Sequence, residues 1–164
     1  MRVFGIDVGI RVCGYVICDI HNLDVRLIKE GEIKPNPKKH LPEKLSNIYE
    51  VSKKEILEHQ PKAIITETLY SHHRHPTTLK ILAQVRGVVA LLAYQEKLNF
   101  FEFSTTKARK SFLGKGNADA LQTKKVAENI TGKKFKSVHT ADAFSLVVAF
   151  SHARKVKDLF GAYK

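Results

Sequence analysis

The chain has 164 residues, enough for one well-buried core and short for two domains, which usually run to roughly 100 to 200 residues each. Hydrophobic residues make up 43% and charged residues 27%, and no apolar run reads as long enough to cross a bilayer. The formal charge of +12, by contrast, sets up a field that draws polyanions, nucleic acid above all.

The N-terminus enters a strand pattern directly, without a charged leader and cleavage site, so the expectation is a cytoplasmic protein. Residues 2–8, 11–19 and about 24–34 are rich in β-branched and aromatic residues and are separated by "VGI" and "HNLD", which predicts a meander of three strands. Cys13 and Cys18 fall on opposite faces of the second strand, too poorly aimed for a disulfide or a shared zinc. After "PNPKKHLPEKL" a helix runs from Pro42 to Glu58, with Leu45, Ile48, Tyr49, Ile56 and Leu57 at roughly helical spacing. "AIITETLY" is a short apolar strand, Pro76 to Lys97 a long helix and "NFFEFS" a further strand; helices follow from Thr106, Asp119 and His139. The second half of the helix from Pro76 is apolar nearly all round, which predicts a central helix covered on more than one side and offers a dimer surface. The order βββ, α, β, α, β, α, α, α predicts an α/β domain over 1–164, a mixed sheet whose later strands run parallel to the first.

Charge is unevenly spread. Between Thr105 and Lys136 lie nine Lys or Arg against only Asp119 and Glu128, which favours a nucleic-acid face over general solubility. Ionisable groups are costly in apolar elements unless paired or bound to a cation, and four need partners. Asp7 ends the first strand, Glu67 lies towards the end of "IITETLY", and His139 and Asp142, three apart, share a face of the last helix. If the two strands are parallel neighbours, the four meet in the crevice where α/β sheets bind ligands. Three carboxylates crowded together repel, and a divalent cation is the ordinary remedy. Two Mg²⁺ or Mn²⁺ ions there would suit phosphodiester hydrolysis. Taken singly each residue has a plain structural explanation; the joint placement carries the reading. His72, His73 and His75 in "YSHHRHP" lack the further ligands a zinc site needs, and that polar loop better suits contact with substrate.

The blocks "GIDVGIRVCGYVI", "HLPEKLSNIYE", "ITETLY", "LAQVRGVVALLA", "LGKGNAD" and "HTADAFSLVVAFSHA" resemble, in order and spacing and over essentially the whole chain, the RuvC family of crossover-junction endodeoxyribonucleases. The resemblance implies a ribonuclease H-like fold with a five-stranded sheet ordered 3-2-1-4-5 and helices on both faces. It implies a homodimer that resolves four-way (Holliday) junction DNA by paired symmetric nicks, and it raises a branch-migration motor as a further partner. The family's metal positions fall on Asp7, Glu67, His139 and Asp142, for two Mg²⁺ per site with Mn²⁺ able to substitute. Many members have Asp where this chain has His139, the familiar "GIDPG" is "GIDVG", and Ala120 stands where Lys is usual. Tyr70 and Arg109 match DNA-contacting positions. Arg74, Lys115, Lys124 and Lys125 are the further DNA-binding candidates, the last three able to replace the missing Lys. The rival readings are a related nuclease on RNA or other branched DNA, a basic junction-binding protein without turnover, and an actin-like kinase, whose two lobes need a much longer chain.

Overall fold

The computed structural model describes residues 1–69, 75–114 and 119–160. Its elements are β1 (Arg2–Asp7), β2 (Cys13–His21), β3 (Asp24–Ile33), α1 (Leu41–His59), β4 (Ala63–Glu67), α2 (Pro76–Gln95), β5 (Asn99–Phe103), α3 (Thr105–Leu113), α4 (Ala120–Thr131) and α5 (Val138–Phe160). The expected succession of elements holds. Strand β2 starts two residues later than expected, because Val8–Val12 is spent on a turn in which the Cys13 thiol donates to the Gly9 carbonyl at 2.9 Å.

Local chemistry sets the boundaries. Asn22, at φ 56°, turns the chain between β2 and β3, a conformation Asn tolerates better than most residues. Helix α1 opens with Pro42 in its first turn and Glu43 accepting from the His40 amide at 3.0 Å; it stops at Gln60, which is left-handed and donates to the Ile56 carbonyl. Ser104 caps α3 by accepting from the Lys107 amide, and Asp119 caps α4 by accepting from the Gln122 amide at 2.7 Å; each helix ends on a left-handed glycine, Gly114 or Gly132.

The five strands form one sheet in the order β3-β2-β1-β4-β5. The meander is antiparallel, while β4 and β5 run parallel to β1, an arrangement that needs crossover connections, here supplied by α1 and α2. Alternation along each strand divides the core in two. One face carries Val3, Val16, Cys18 and Ile65 against Phe144 and Val147 of α5, with α3 and α4 behind it; the other carries Phe4, Ile6, Ile17 and Ile64 against α1 and α2. Cys13 and Cys18 accordingly sit in different halves of the core, both as free thiols. Fully burying one such aliphatic or aromatic side chain stabilises by about 1.5–3 kcal/mol.

Two expectations need correction. The central helix is α5, which packs across the sheet and against α3 and α4; α2 lies on the opposite face and leaves Leu91 and Tyr94 exposed. Strand order decides this, because α1 and α2 are the crossovers on one face and α5 alone spans the other. Helix α2 is also long and apolar enough to cross a membrane by length and composition, contrary to the expectation that no segment would be. Its apolar residues Leu82, Val85, Val89, Leu92 and Ala93 are instead buried within the fold.

Candidate active site

The site forms where β1 and β4 end side by side. The pairs Phe4–Ile64, Gly5–Ile65 and Ile6–Thr66 continue to Asp7 beside Glu67, so both carboxylates leave the sheet on the face covered by α5. His139 and Asp142 come down onto this point from the first turns of α5. A glycine allows the approach. Gly14, paired with Asp7 across β1 and β2, lies so close to α5 that a Cβ on it would stand 2.2 Å from the His139 carbonyl carbon.

The His139 ring nitrogen Nδ1 lies 2.9 Å from Asp7 Oδ2, and the Arg109 guanidinium of α3 reaches both oxygens of Asp142 at 3.5 Å. Burial raises the Asp142 carboxyl to about 6, with the charge of Asp7 adding to the shift and Arg109 opposing it. The hydrogen bond to Asp7 raises the His139 imidazole above its ordinary value against the effect of burial, and the charges of Asp7, Asp142 and Glu32 act in the same upward direction. The surroundings therefore favour positive charge on the His139 ring, and a guanidinium faces Asp142.

These residues open into a pocket of about 800 Å³. Asp7, Glu67, Arg109, His139 and Asp142 line it together with the β1–β2 turn, whose Arg11 is exposed, and with Thr78, Ile81 and Leu82 near the start of α2. Three carboxylates and an imidazole at one point, one of those carboxylates resisting ionisation, make a donor set suited to hard divalent cations, with the imidazole favouring the transition metals among them.

The four residues singled out in the sequence as a joint site are thus neighbours. The basic candidates divide. Arg109 stands in the pocket wall, whereas Lys124 and Lys125 lie on α4 away from it, Lys125 exposed and Lys124 placed 4.0 Å from Glu128. Tyr70, Arg74 and Lys115, like His72 and His73, lie outside the described residues. His75 accepts from the Thr77 amide as the N-cap of α2. Sequence reasoning missed Gly14 and Arg11, although the spacing "GIRVCG" around a tight turn was a signal for both. It also missed Glu55, Glu58 and His59 at the end of α1, whose donor atoms lie within 4.8 Å of one another and could hold a metal ion. The Lys29 ammonium stands 2.9 Å from Glu55 and 3.8 Å from Glu58, and Tyr15 donates to Glu55, so this group already has its cation.

A mixed sheet ordered 3-2-1-4-5 with acidic residues at the ends of its adjacent central strands defines a ribonuclease H-like protein with a nuclease-type acidic site. Comparison with known proteins narrows the class. The sequence profile of the crossover junction endodeoxyribonuclease RuvC family matches residues 3–152, and the chain belongs to that family. The enzyme of this name from Finegoldia magna is 32% identical over 93% of the chain and 92% of that protein, and the one from Chlamydia muridarum 29% identical over 96% and 95%. Among solved structures, Thermus thermophilus RuvC in complex with a Holliday junction substrate superposes with a TM-score of 0.86 at 20% identity, covering 95% of this chain and 96% of that one. The yeast mitochondrial Holliday junction resolvase shares the fold at a TM-score of 0.70 and 13% identity, covering 97% and 81%.

Proposed function

We propose that the protein is a structure-selective endonuclease that resolves four-way DNA junctions by paired nicks, with Asp7, Glu67, His139 and Asp142 as the ligands of two divalent cations. The observation that carries this reading is the convergence of those four side chains in one pocket of a RuvC-family chain. Mg²⁺ or Mn²⁺ held there supplies an activated water and stabilisation of the leaving 3′ oxygen in an in-line displacement.

The chain's own groups prepare the site. Asp7 faces both the His139 ring and the end of β4, so it would be a ligand central to the cation site. His139 would have to be neutral to act as a ligand, so the neighbouring Asp7, which favours the protonated ring, would set proton against cation at this residue. Arg109 faces Asp142 at 3.5 Å in the pocket wall, where its guanidinium would also meet a phosphate of the substrate. Arg74, Lys115, Lys124 and Lys125 would neutralise backbone phosphates, and Tyr70, three residues after Glu67, would stack at the opened junction centre.

The whole of 1–164 is read as one nuclease domain that acts in the cytoplasm as a homodimer. The exposed face of α2, with Gly87, Leu91 and Tyr94, supports the dimer, since an apolar face of this kind is better covered than left in water. Cleavage of a synthetic four-way junction with and without Mg²⁺, beside matched duplex and RNA substrates, tests the reading. Paired nicks in the junction alone are expected; equal cutting of duplex or RNA would point to the rival nuclease, and binding without cutting to a non-catalytic junction protein.

A further inference from the structure

The register of the sheet places a fourth acidic side chain in line with the site. Glu32 pairs with Gly14, and Gly14 with Asp7, so Glu32, Gly14 and Asp7 form a row across β3, β2 and β1. Directly paired residues on neighbouring strands project to the same face, here the face covered by α5. The middle of the row has no side chain, and the backbone of His139 occupies that gap, in contact with Gly14. His139 is therefore flanked by Asp7 on one side and by Glu32 on the other.

Glu32 is engaged there. Its carboxylate pairs with Lys34 at 2.6 Å and is only 13% exposed, and Lys34 first and then the nearby Ser137 side chain hold it below the ordinary carboxyl range. Two residues earlier on the same face, Glu30 accepts from the Lys136 amide, at 2.9 Å to one oxygen and 3.2 Å to the other. Ser137 in turn receives the Thr140 amide, closing the N-terminal turn that carries His139. Two carboxylates of one edge strand thus grip the start of α5, the end of a helix where negative charge is favourable.

We propose that Glu32, seconded by Glu30, is a positioning residue for the active site, holding the first turn of α5 against β2 and so fixing where His139 and Asp142 stand relative to Asp7 and Glu67. The inference rests on reading those four residues as the cation-binding set. It makes β3, a strand with no residue in the pocket wall, part of what the cation site depends on.

Mn²⁺ binding to the DNA-free protein, followed by electron paramagnetic resonance, tests this directly. Loss of an outer partner typically lowers metal affinity by about 10–100-fold, so Glu32→Ala should weaken Mn²⁺ binding by about tenfold and lower kcat for junction cleavage with it. The Kd for the junction should not change. Glu32→Gln, which keeps an acceptor for Ser137, should regain most of the Mn²⁺ affinity. Mn²⁺ affinity equal to the parent's in Glu32→Ala overturns the inference, and so does a loss that Glu32→Gln shares in full. If Glu32→Ala does not fold, Glu30→Ala decides in the same assay: weakened Mn²⁺ binding upholds the inference and unchanged binding overturns it. A parent protein that binds no Mn²⁺ brings down the cation-site reading itself, whereas a parent that binds beside unaffected variants overturns only the role of β3.

Discussion

Asp7 is the residue on which most of the site depends, since it meets His139 at 2.9 Å and contributes to the raised Asp142 carboxyl. Asp7→Asn should abolish junction cleavage while leaving junction binding equal or tighter, because one negative charge fewer weakens cation binding and lessens repulsion of phosphates. Gel shift and cleavage on one substrate check this; joint loss of both in a folded variant counts against the role. The metal-free site should also show its charge in stability. The His139 contribution is fully present below the unfolded value of 6.5 and fades as pH rises through its raised folded value. Asp142, raised from 3.8 to about 6, has the same sign: the folded state keeps a proton that the unfolded chain has given up, so stability falls across that window. With chelator present the two should lower Tm as pH climbs. Mg²⁺ should raise Tm more at about pH 8 than at about pH 5.5, since protons compete with it for the same ligands. Thermal scans with chelator and with Mg²⁺ at both values measure the effect, and an equal Mg²⁺ gain would show that these groups do not bind it.

At the level of elements, the contact of α5 with β2 decides whether four separate residues become a site. Gly14→Ala would drive a methyl group into the backbone of His139 and Thr140. Overpacking of this kind costs typically about 1–3 kcal/mol, and here relief comes only by lifting the first turn of α5 off the strand. The expected result is a lower Tm together with lost Mn²⁺ binding; a variant that melts lower yet binds Mn²⁺ as the parent does would mean that α5 absorbs the methyl without moving its side chains. Helix α4 serves a different end. Lys125 is exposed and Lys124 leans towards Glu128, so their loss should act on DNA affinity and leave cation binding alone. Lys125→Ala should weaken junction and duplex binding alike and reduce the slope of log K against log salt by about one, with a smaller change for Lys124→Ala. Binding across a salt series separates the two.

At the scale of the whole molecule, charge cannot by itself distinguish a junction from the duplex around it, because attraction to phosphates is nearly blind to branching. Two active sites held at a fixed separation can. The exposed apolar face of α2, opposite to α5 in the layer order, is the surface available to set that separation. Leu91→Glu should therefore convert a dimer to a monomer in sedimentation and abolish paired nicking, with little effect on Tm because Leu91 is 53% exposed. A parent that sediments as a monomer, or a variant that still nicks both strands together, would remove the dimer from the explanation of selectivity.

The sequence alone determined the elements and the four residues of the candidate site. Strand composition, helix-capping residues and the costly placement of Asp7, Glu67, His139 and Asp142 in apolar segments are local properties, legible without tertiary contacts. What sequence could not decide depends on register and on which face a helix covers. The apolar run "VVALLA" suggested a central helix, yet the crossovers of the sheet gave that place to α5 and left one side of α2 in solvent. Glu30 and Glu32 read as ordinary charges on an edge strand; only the pairing of Glu32 with Gly14 and of Gly14 with Asp7 brings them to the start of α5, more than 100 positions along the chain. Arg109 read as a basic position for DNA contact, and tertiary packing set it against Asp142 as well. In each case the deciding quantity is a distance between residues far apart in sequence, which the folded sheet fixes and local pattern does not contain.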